Sequence, residues 1–308
     1  MSQKLLKPLA IAVSVGLAPP LKITLALRPK PTKKILNISR VLLTMSKSQW
    51  QLNGVPRTMI LTTRARADED RRTDGLFGDR QAREWSDRLP WDVELDSFYS
   101  SQTQTGWAIR ADYFDRAVRQ QIAASQQPLV IELGAGLSSR YYRLQQDNLF
   151  WINLDLPEVN HIRHQLDTET DNYKFIGASA LESNWIDNLP YRKPEDITIV
   201  AEGLLMYFEP EAVAQLIAQM RARFPGATLI FDIVGVSYRR AAKKLEALGA
   251  PLHWFVGDLE EVTRMGVEIV SAQSLFQLHP ERWGVLRWLT WLPFIHNMTL
   301  ILETKLKL

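Results

Sequence analysis

The stretch that decides the fold is VIELGAGLSSRYYRL, residues 130–144. An apolar run ends near Glu132, and Gly134 and Gly136 follow; glycine accepts positive φ and lets a main chain approach a ligand without a Cβ clash. A serine pair, Ser138 and Ser139, then offers a cap for a helix. In an open parallel sheet, ligands bind at such strand–turn–helix junctions. The sequence therefore predicts an α/β fold with a ligand at this turn.

Seven short apolar or β-branched runs extend this pattern, at 128–133, 149–156, 173–179, 196–203, 227–234, 267–273 and 298–306. Segments with helical spacing lie between most of them, and the clearest runs from 209 to 224. Strands that alternate with helices are typical of a doubly wound, mostly parallel sheet with helices on both faces. We therefore predict a seven-stranded doubly wound domain over residues 128–308.

Two sections precede this domain. Residues 50–127 have helical patterns, and a helical section before a doubly wound sheet usually caps the ligand crevice. Residues 1–49 carry nine Lys and Arg residues and no Asp or Glu, so they form a basic N-terminal extension. Such an extension meets anionic lipid or nucleic acid, or is simply solvated; we expect no nucleic-acid partner.

Composition excludes several chemistries. The 308 residues include no cysteine, which rules out disulfides, thiolate nucleophiles and Cys-ligated metals. The five histidines form no ligand pair, so we expect no metal site. Lys4 and Lys7 before the apolar run 9–18 faintly resemble a secretory signal, but Pro19 and Pro20 follow its cleavage point. We expect a cytoplasmic protein.

The spacing of one acid indicates the ligand at the glycine turn. Asp155 ends the second strand, 19 residues after Gly136 (155 − 136), where a carboxylate can accept hydrogen bonds from both hydroxyls of an adenosine ribose. A dinucleotide site wants a third glycine where Ser139 stands, and Glu132 two residues before the turn disfavours a phosphate. S-adenosyl-L-methionine fits better, because it has the ribose and no phosphate. A nicotinamide oxidoreductase stays open as an alternative.

Three separated motifs carry a resemblance to a known family. ELGAGLSSRYYRL, INLDLPEV and AEGLLMYFEPEAVAQLI, in this order, resemble the leucine carboxyl methyltransferase family, whose members include O-methyltransferases of polyketide biosynthesis. Residues 56–85 resemble the family's N-terminal helices. The resemblance implies a class I methyltransferase (Rossmann-like) sheet with a helical N-terminal cap. It also implies that the last two strands form a reversed pair.

The resemblance assigns roles to individual positions. It implies that Arg110 pairs with the methionine carboxylate of S-adenosylmethionine and that Gly134 and Gly136 border the same moiety. It implies that Asp155 holds the ribose and that Glu202, at the end of the fourth strand, lies near the amino group or the reacting centre. A competing interpretation is that Arg110 only makes a surface ion pair with a nearby Asp on its own helix.

The chain departs from the family at the adenine contact. The family usually has an Asp-Leu pair after the third strand, and Ala180 stands here in place of the acid before Leu181. Leu181 stays a candidate cofactor contact, and Glu182 or backbone groups are candidates to replace the acid.

The implied activity is methyl transfer to a carboxylate or hydroxyl of a small, polyketide-like molecule or a peptide. A carboxylate acceptor is already ionised at neutral pH and needs no base, whereas a phenol or alcohol is helped by one. Tyr141, Tyr142, Tyr207 and His253 are only candidates, so the catalytic residues are unknown at this stage. A non-catalytic protein that binds the adenosyl cofactor is the second hypothesis.

The C-terminal stretch 279–298 contains Trp283, Trp288 and Trp291. Three interpretations are open: an aromatic acceptor pocket or lid, a seat on a membrane surface, or an apolar helix that covers the last two strands. The basic N-terminus is a second candidate for peripheral membrane contact.

Overall fold

The computed structural model describes residue 50 and residues 52–187, 189–190 and 192–307. The predicted extension 1–49 lies outside the described residues. No helix in the described ranges is both long and apolar enough to cross a membrane.

A seven-stranded sheet forms the centre of the described part of the chain, with the order β3-β2-β1-β4-β5-β7-β6. Strands β1 to β5 pair in parallel, and β7 runs antiparallel to both β5 and β6. All seven predicted strands and the reversed final pair are confirmed. The strands are β1 Leu129–Leu133, β2 Phe150–Asp155, β3 Tyr173–Gly177, β4 Ile197–Ala201, β5 Thr228–Val234, β6 Val267–Ser274 and β7 Thr299–Leu306.

The strands form where they do because their apolar runs are covered on both faces. Every residue of β1, β4 and β5 is buried, which suits continuous rather than alternating hydrophobicity. One face packs on Leu216 and Ile217, and the other on Phe114 and Val118.

Helices flank the sheet on both faces and continue into the N-terminal section. The segment 50–127 is helical with no strand in its described part, and caps from Asp79, Asp92 and Ser100 start three of its helices. The α-helices are α1 Thr58–Asp70, α2 Arg80–Ser86, α3 Val93–Phe98, α4 Ser101–Ala124, α5 Arg140–Leu144, α6 Pro157–Leu166, α7 Asn184–Asp187, α8 Pro210–Arg223, α9 Arg239–Ala247, α10 Leu259–Arg264 and α11 Pro293–His296. Short 3-10 helices cover Val55–Arg57, Pro194–Asp196, Leu205–Tyr207, Val236–Tyr238, Leu275–Gln277 and Pro280–Trp288.

The strand order reverses between β1 and β4, and this point sets the position of the site. The two strands are paired in register from Leu129 opposite Ile197 to Glu132 opposite Val200. Their carboxyl ends therefore bring the Gly134 turn beside Glu202, and β2 adds Asp155 on the other side. Such a topological switch point is where open α/β sheets bind ligands.

Candidate cofactor-binding site

The glycine turn after β1 has the backbone conformation that its sequence predicts. Gly134 has φ of 59° and Gly136 has φ of 50°, a region that side chains with a Cβ rarely adopt. A Cβ added to Gly134 would lie 2.6 Å from Leu204 Cδ1, and one added to Gly136 would lie 3.1 Å from Met59 Cβ. The turn is therefore pressed between the loop after β4 and the first cap helix.

Asp155 closes one side of this turn. Its Oδ2 accepts a hydrogen bond from the Gly136 amide at 2.6 Å, and its Oδ1 accepts one from the Leu156 amide at 2.7 Å. Burial raises the pKa of Asp155, and these two amides oppose that rise. No cation of the described part of the chain forms an ion pair with this carboxylate. Each oxygen keeps a lone pair for a ligand hydroxyl.

Glu202 closes the opposite side and has a different environment. Its Oε1 accepts from Arg110 Nε at 2.9 Å, and its Oε2 accepts from Arg140 Nη2. Burial alone raises the pKa of Glu202, but the two guanidiniums outweigh burial and lower that pKa to about 2. Glu202 is therefore a firmly ionised, fully paired carboxylate.

Arg110 lies within the site with its side chain 13% exposed, which contradicts the surface ion pair considered from the sequence. Besides Glu202, its Nη1 donates to Asp232 Oδ2 at 3.1 Å. Asp232 is fully buried at the carboxyl half of β5, and its Oδ1 accepts from the Gly203 amide at 2.6 Å. Burial raises the pKa of Asp232, and Arg110 opposes that rise. The helix neighbours of Arg110 pair elsewhere, Asp112 with Arg116 and His279.

A network of ion pairs between buried side chains, centred on Arg140, stabilises the glycine turn. Arg140 bridges three carboxylates and is 1% exposed. Its Nε donates to Asp115 at 2.8 Å, and its Nη1 donates to Glu132, whose Oε1 also accepts from Ser138 Oγ at 3.0 Å. Burial lowers the pKa of Arg140, but the surrounding acids outweigh it and raise the pKa above its usual range. The network therefore fixes β1, β4, α4 and α5 relative to one another.

The serine at the third-glycine position belongs to the same support. Ser139 is fully buried, and its hydroxyl donates to Asp79 at the start of α2 instead of capping α5. The amide of Arg140 is instead 3.3 Å from Ser138 Oγ.

Arg66 on α1 is the least satisfied cation of the site. Its Nη2 donates to the Leu137 carbonyl at 2.6 Å, but its Nε has no hydrogen-bond partner among the described residues and lies 3.4 Å from Asp79. Burial outweighs the attraction of Asp79 and lowers the pKa of Arg66 to about 10, so it stays protonated at neutral pH. Because Nε has almost no accessible surface and lies beside Asp79, Arg66 supports the wall of the site and does not offer this donor to a ligand.

These residues surround a cavity of about 390 Å³ between the cap and the carboxyl ends of the strands. Six of the seven sequence-predicted site residues line it, namely Arg110, Glu132, Gly134, Gly136, Asp155 and Glu202. Leu181 is not among the lining residues and is 36% exposed, whereas Ala180 beside it does line the cavity. The segment 50–127 contributes Val55, Pro56 and Met59 to the wall, so its first residues form one side of the crevice.

Only one of the four base candidates lines this cavity. Tyr207 does so, and burial raises its pKa to about 12, so its hydroxyl is neutral at neutral pH. Tyr141 stacks on Tyr173 with ring centroids 4.0 Å apart, and Tyr142 Oη donates to Asp167, which places both in an aromatic cluster outside the cavity. His253 pairs with Glu209 in a half-exposed position and is likewise not among the lining residues.

Sequence reasoning missed Arg66, Arg140 and Asp232. The local pattern does not mark them, because their partners lie far away in the chain. An indirect signal exists: Glu132 and Glu202 end apolar strands, and buried carboxylates need cations. That requirement predicts that arginines of the flanking helices pair with these carboxylates, but it does not say which arginines do so.

The sheet order, the reversed β7 and a ribose-spaced acid beside a glycine turn define a class I S-adenosylmethionine-dependent methyltransferase. The family model of leucine carboxyl methyltransferase matches residues 59–221. The chain belongs to this family, is an enzyme of the methyltransferase class and uses S-adenosylmethionine as its cofactor. The family resemblance seen in the sequence is thereby confirmed.

Relatives in two organisms extend the match. The chain is 30% identical over 212 residues to the tetracenomycin polyketide synthesis O-methyltransferase TcmP of Streptomyces glaucescens, covering 68% of this chain and 77% of that protein. It is 24% identical over 275 residues to the S-adenosyl-L-methionine-dependent methyltransferase dpfgK of Gibberella zeae, covering 80% and 90%. A crystal structure from Thermobifida fusca, of a protein assigned as a methyltransferase, aligns with a TM-score of 0.51 at 15% identity over 79% of this chain and 94% of that one. This last likeness concerns the fold alone.

Proposed function

We propose that the chain transfers the methyl group of S-adenosylmethionine to an acidic hydroxyl, a phenol or an enol, of a small and largely apolar molecule. The observation that carries this proposal is the composition of the cavity wall. Apolar side chains dominate the side of the cap and of the loop after β4, from Val55, Pro56, Met59, Leu204 and Phe208. Such walls favour an aromatic or aliphatic acceptor over a hydrated one.

The cations of the cavity argue against a carboxylate acceptor. Arg110 and Arg140 are each shared between carboxylates of the protein, and Arg143 is held by Asp115 and Asp79. Arg110 keeps Nη2 beyond its two bonds. If the methionine carboxylate of the cofactor takes this donor, little positive charge is left to recognise a second carboxylate.

The absence of a titrating base among the lining residues supports an acidic hydroxyl. Glu202, with a pKa of about 2, is too weak a base, and Tyr207 is already protonated. No histidine is among the lining residues that the structure describes. An acceptor that ionises by itself, as a phenol or enol does more readily than an alcohol, needs no protein base.

The bound cofactor supplies a methyl group on a sulfonium, so the protein's task is alignment and exclusion of water. Asp155 has acceptor capacity for the ribose hydroxyls, and the glycine turn lets the main chain come close. The cap helices cover the crevice and keep the acceptor from water. TcmP, a relative named as a polyketide synthesis O-methyltransferase, supports oxygen as the methylated atom and a polyketide-like acceptor.

A matched acceptor series tests the proposal. The purified protein is incubated with methyl-labelled S-adenosylmethionine and three acceptors: a phenolic aromatic polyketide, the same ring system bearing a carboxylate in place of the phenol, and a peptide ending in leucine. Mass spectrometry then locates the methyl group. We expect an ether product and a rate that rises with pH as the phenol ionises. A methyl ester on the second or third acceptor, with no ether, would contradict the hydroxyl assignment. The cytoplasmic location expected from the sequence stays a prediction.

A further inference from the structure

The stretch from Pro280 to His296, called the aromatic segment below, is divided between a buried and an exposed set of side chains. It consists of the 3-10 helix Pro280–Trp288 and helix α11. Trp283 is its anchor: the indole is 7% exposed, lies 4.8 Å from the ring of Phe276 and donates from Nε1 to the Leu278 carbonyl at 2.9 Å. Of the three tryptophans, Trp283 is therefore the one that packs against the rest of the domain.

The other two tryptophans face solvent together with further apolar side chains. Trp288 is 67% and Trp291 71% exposed, and Trp291 Nε1 donates to the Trp288 carbonyl at 2.7 Å. This bond satisfies the only polar group of that indole within its own segment, so the ring presents apolar surface outward. Nine large apolar residues of the described chain are exposed. Five of them lie in the ten-residue stretch 285–294 of this segment: Val285, Trp288, Leu289, Trp291 and Phe294. Single exposed apolar residues are ordinary, but such a cluster marks an interaction surface.

The charges of the segment select the partner. The acid of the segment, Glu281, lies 3.4 Å from His279, and no Asp or Glu follows from residue 282 to 302. Arg287 is exposed, and its guanidinium carbon lies 4.5 Å from the centroid of the Trp288 ring, whereas Arg282 is occupied by Glu69 at 2.9 Å. An exposed Trp–Arg pair without a neighbouring acid suits a bilayer interface, where the ring lies at headgroup level and the guanidinium meets phosphate.

A second copy of the chain is a poorer occupant for this surface. A symmetric contact would bring the same surface of two copies together, and no acid between 282 and 302 is available to compensate Arg287 of the opposite copy. Anionic lipid supplies that compensation. The sequence also contains a second signal for such a surface, the nine Lys and Arg residues and no acid in residues 1–49, and reversible anchoring that persists usually takes two signals.

We propose that the aromatic segment seats this protein peripherally on an anionic lipid surface, with Trp288 and Trp291 as the inserted side chains. The proposal is independent of the acceptor, because the aromatic segment does not line the cofactor cavity.

Co-sedimentation of the full chain with lipid vesicles tests whether the aromatic segment binds a lipid surface. The probes are vesicles of phosphatidylcholine alone and vesicles with about 30% phosphatidylglycerol, a fraction that creates a negative surface potential. We expect the full chain to bind the anionic vesicles more tightly, and Trp288→Ser with Trp291→Ser to weaken that binding on the order of tenfold or more. The matched control is Val93→Ser with Val270→Ser, which removes two equally exposed apolar side chains elsewhere (85% and 65% exposed) and should leave binding unchanged. Affinity for S-adenosylhomocysteine confirms that each variant is folded.

Three results would overturn the proposal. Anionic-vesicle binding that survives the double Trp substitution would assign membrane attraction to the basic extension instead. A dimer in lipid-free sedimentation that the same substitution dissociates would make a second copy the occupant. Absence of vesicle binding in the full chain at low salt would exclude the lipid surface.

Discussion

Two carboxylates flank the glycine turn, and the protein treats them in opposite ways. Asp155 is the last residue of β2 and Glu202 directly follows β4, and both were predicted as cofactor contacts. Asp155 is held only by backbone amides, and burial raises its pKa. Glu202 is held by two guanidiniums, which overcome burial and lower its pKa to about 2.

This difference indicates that Asp155 is available to bind a ligand, whereas Glu202 stabilises the structure of the site. A carboxylate with a raised pKa is less stable as an anion in the folded protein than in water, so a ligand hydroxyl that donates to it relieves a cost. A carboxylate with a lowered pKa already contributes to folding and gains less from a ligand. Cofactor affinity and fold stability should therefore respond differently at the two positions.

The largest expected effect lies beneath Glu202, at Arg140. Arg140→Met leaves three buried carboxylates without their shared cation, and the free energy of unfolding should fall by about 3–5 kcal/mol. Urea unfolding measures this loss. The control is Arg80→Met, which breaks a surface pair with Glu84 on α2 and should change stability by about 0–1 kcal/mol. Equal losses for the two variants would show that the network adds nothing beyond a surface pair.

Glu202→Gln should destabilise the protein in a pH-dependent way. The pKa of Glu202 falls from its ordinary 4.5 to about 2 on folding, so its ionised form stabilises the native state above pH 4.5, and this contribution disappears as pH falls toward 2. We expect Glu202→Gln to lose on the order of 3 kcal/mol at pH 7. The gap to the parent protein should close between about pH 4.5 and 2. Urea unfolding of both proteins across this range gives the measurement, and a gap that stays constant with pH would contradict the assignment.

Local sequence signals predicted the scaffold because they depend on neighbours in the chain. Continuous apolar runs fixed β1 and β5, and the glycine spacing with Asp155 placed one wall of the site. The ionic support could not be read in the same way. Arg140 meets Glu202 across 62 positions and Arg110 meets Asp232 across 122, and no local periodicity encodes such pairs. The structure supplies what the sequence only required in general terms, a cation for buried acids such as Glu132, Asp115 and Asp232.

Asp155→Asn should weaken binding more than folding, the reverse of Glu202→Gln. The neutral amide removes a charge that burial disfavours, but its Nδ2 cannot accept a hydrogen bond, so one of the two backbone amides loses its partner and the free energy of unfolding of the cofactor-free protein should fall by about 1 kcal/mol. Affinity for S-adenosylhomocysteine should fall roughly ten- to a hundred-fold, since a charged acceptor for the ribose is lost. Calorimetry and thermal melting on one preparation measure both quantities. Unchanged affinity would remove Asp155 from the cofactor site.

Arg110→Lys tests the residue that belongs to both sides of the comparison. Its guanidinium pairs with Glu202 and Asp232 at once, and a lysine ammonium cannot reproduce two fixed donors. We expect a loss of stability of about 1–2 kcal/mol together with about tenfold weaker S-adenosylhomocysteine binding. Urea unfolding and calorimetry measure the two quantities. A variant with parent stability and weak binding would show that Arg110 contributes to cofactor binding alone.

The smallest effect should come from Leu181, the one predicted contact that lies outside the cavity wall. Its side chain is 36% exposed, and the wall at this point is made by Ala178, Ser179 and Ala180. Leu181→Ser therefore removes little buried surface, so the free energy of unfolding should stay within about 0.5 kcal/mol. S-adenosylhomocysteine affinity should also stay within about twofold, because no contact to the cavity is lost.

Ala180→Val is the matched comparison, since Ala180 is 6% exposed and a larger side chain there extends into the cavity wall. Isothermal calorimetry of S-adenosylhomocysteine binding to the two variants shows whether Ala180 or Leu181 lies at the cofactor. A tenfold loss for Leu181→Ser with none for Ala180→Val would mean that the loop after β3 closes over the adenine in the bound state, and Leu181 would then join Asp155 as a group that acts only when the ligand is present.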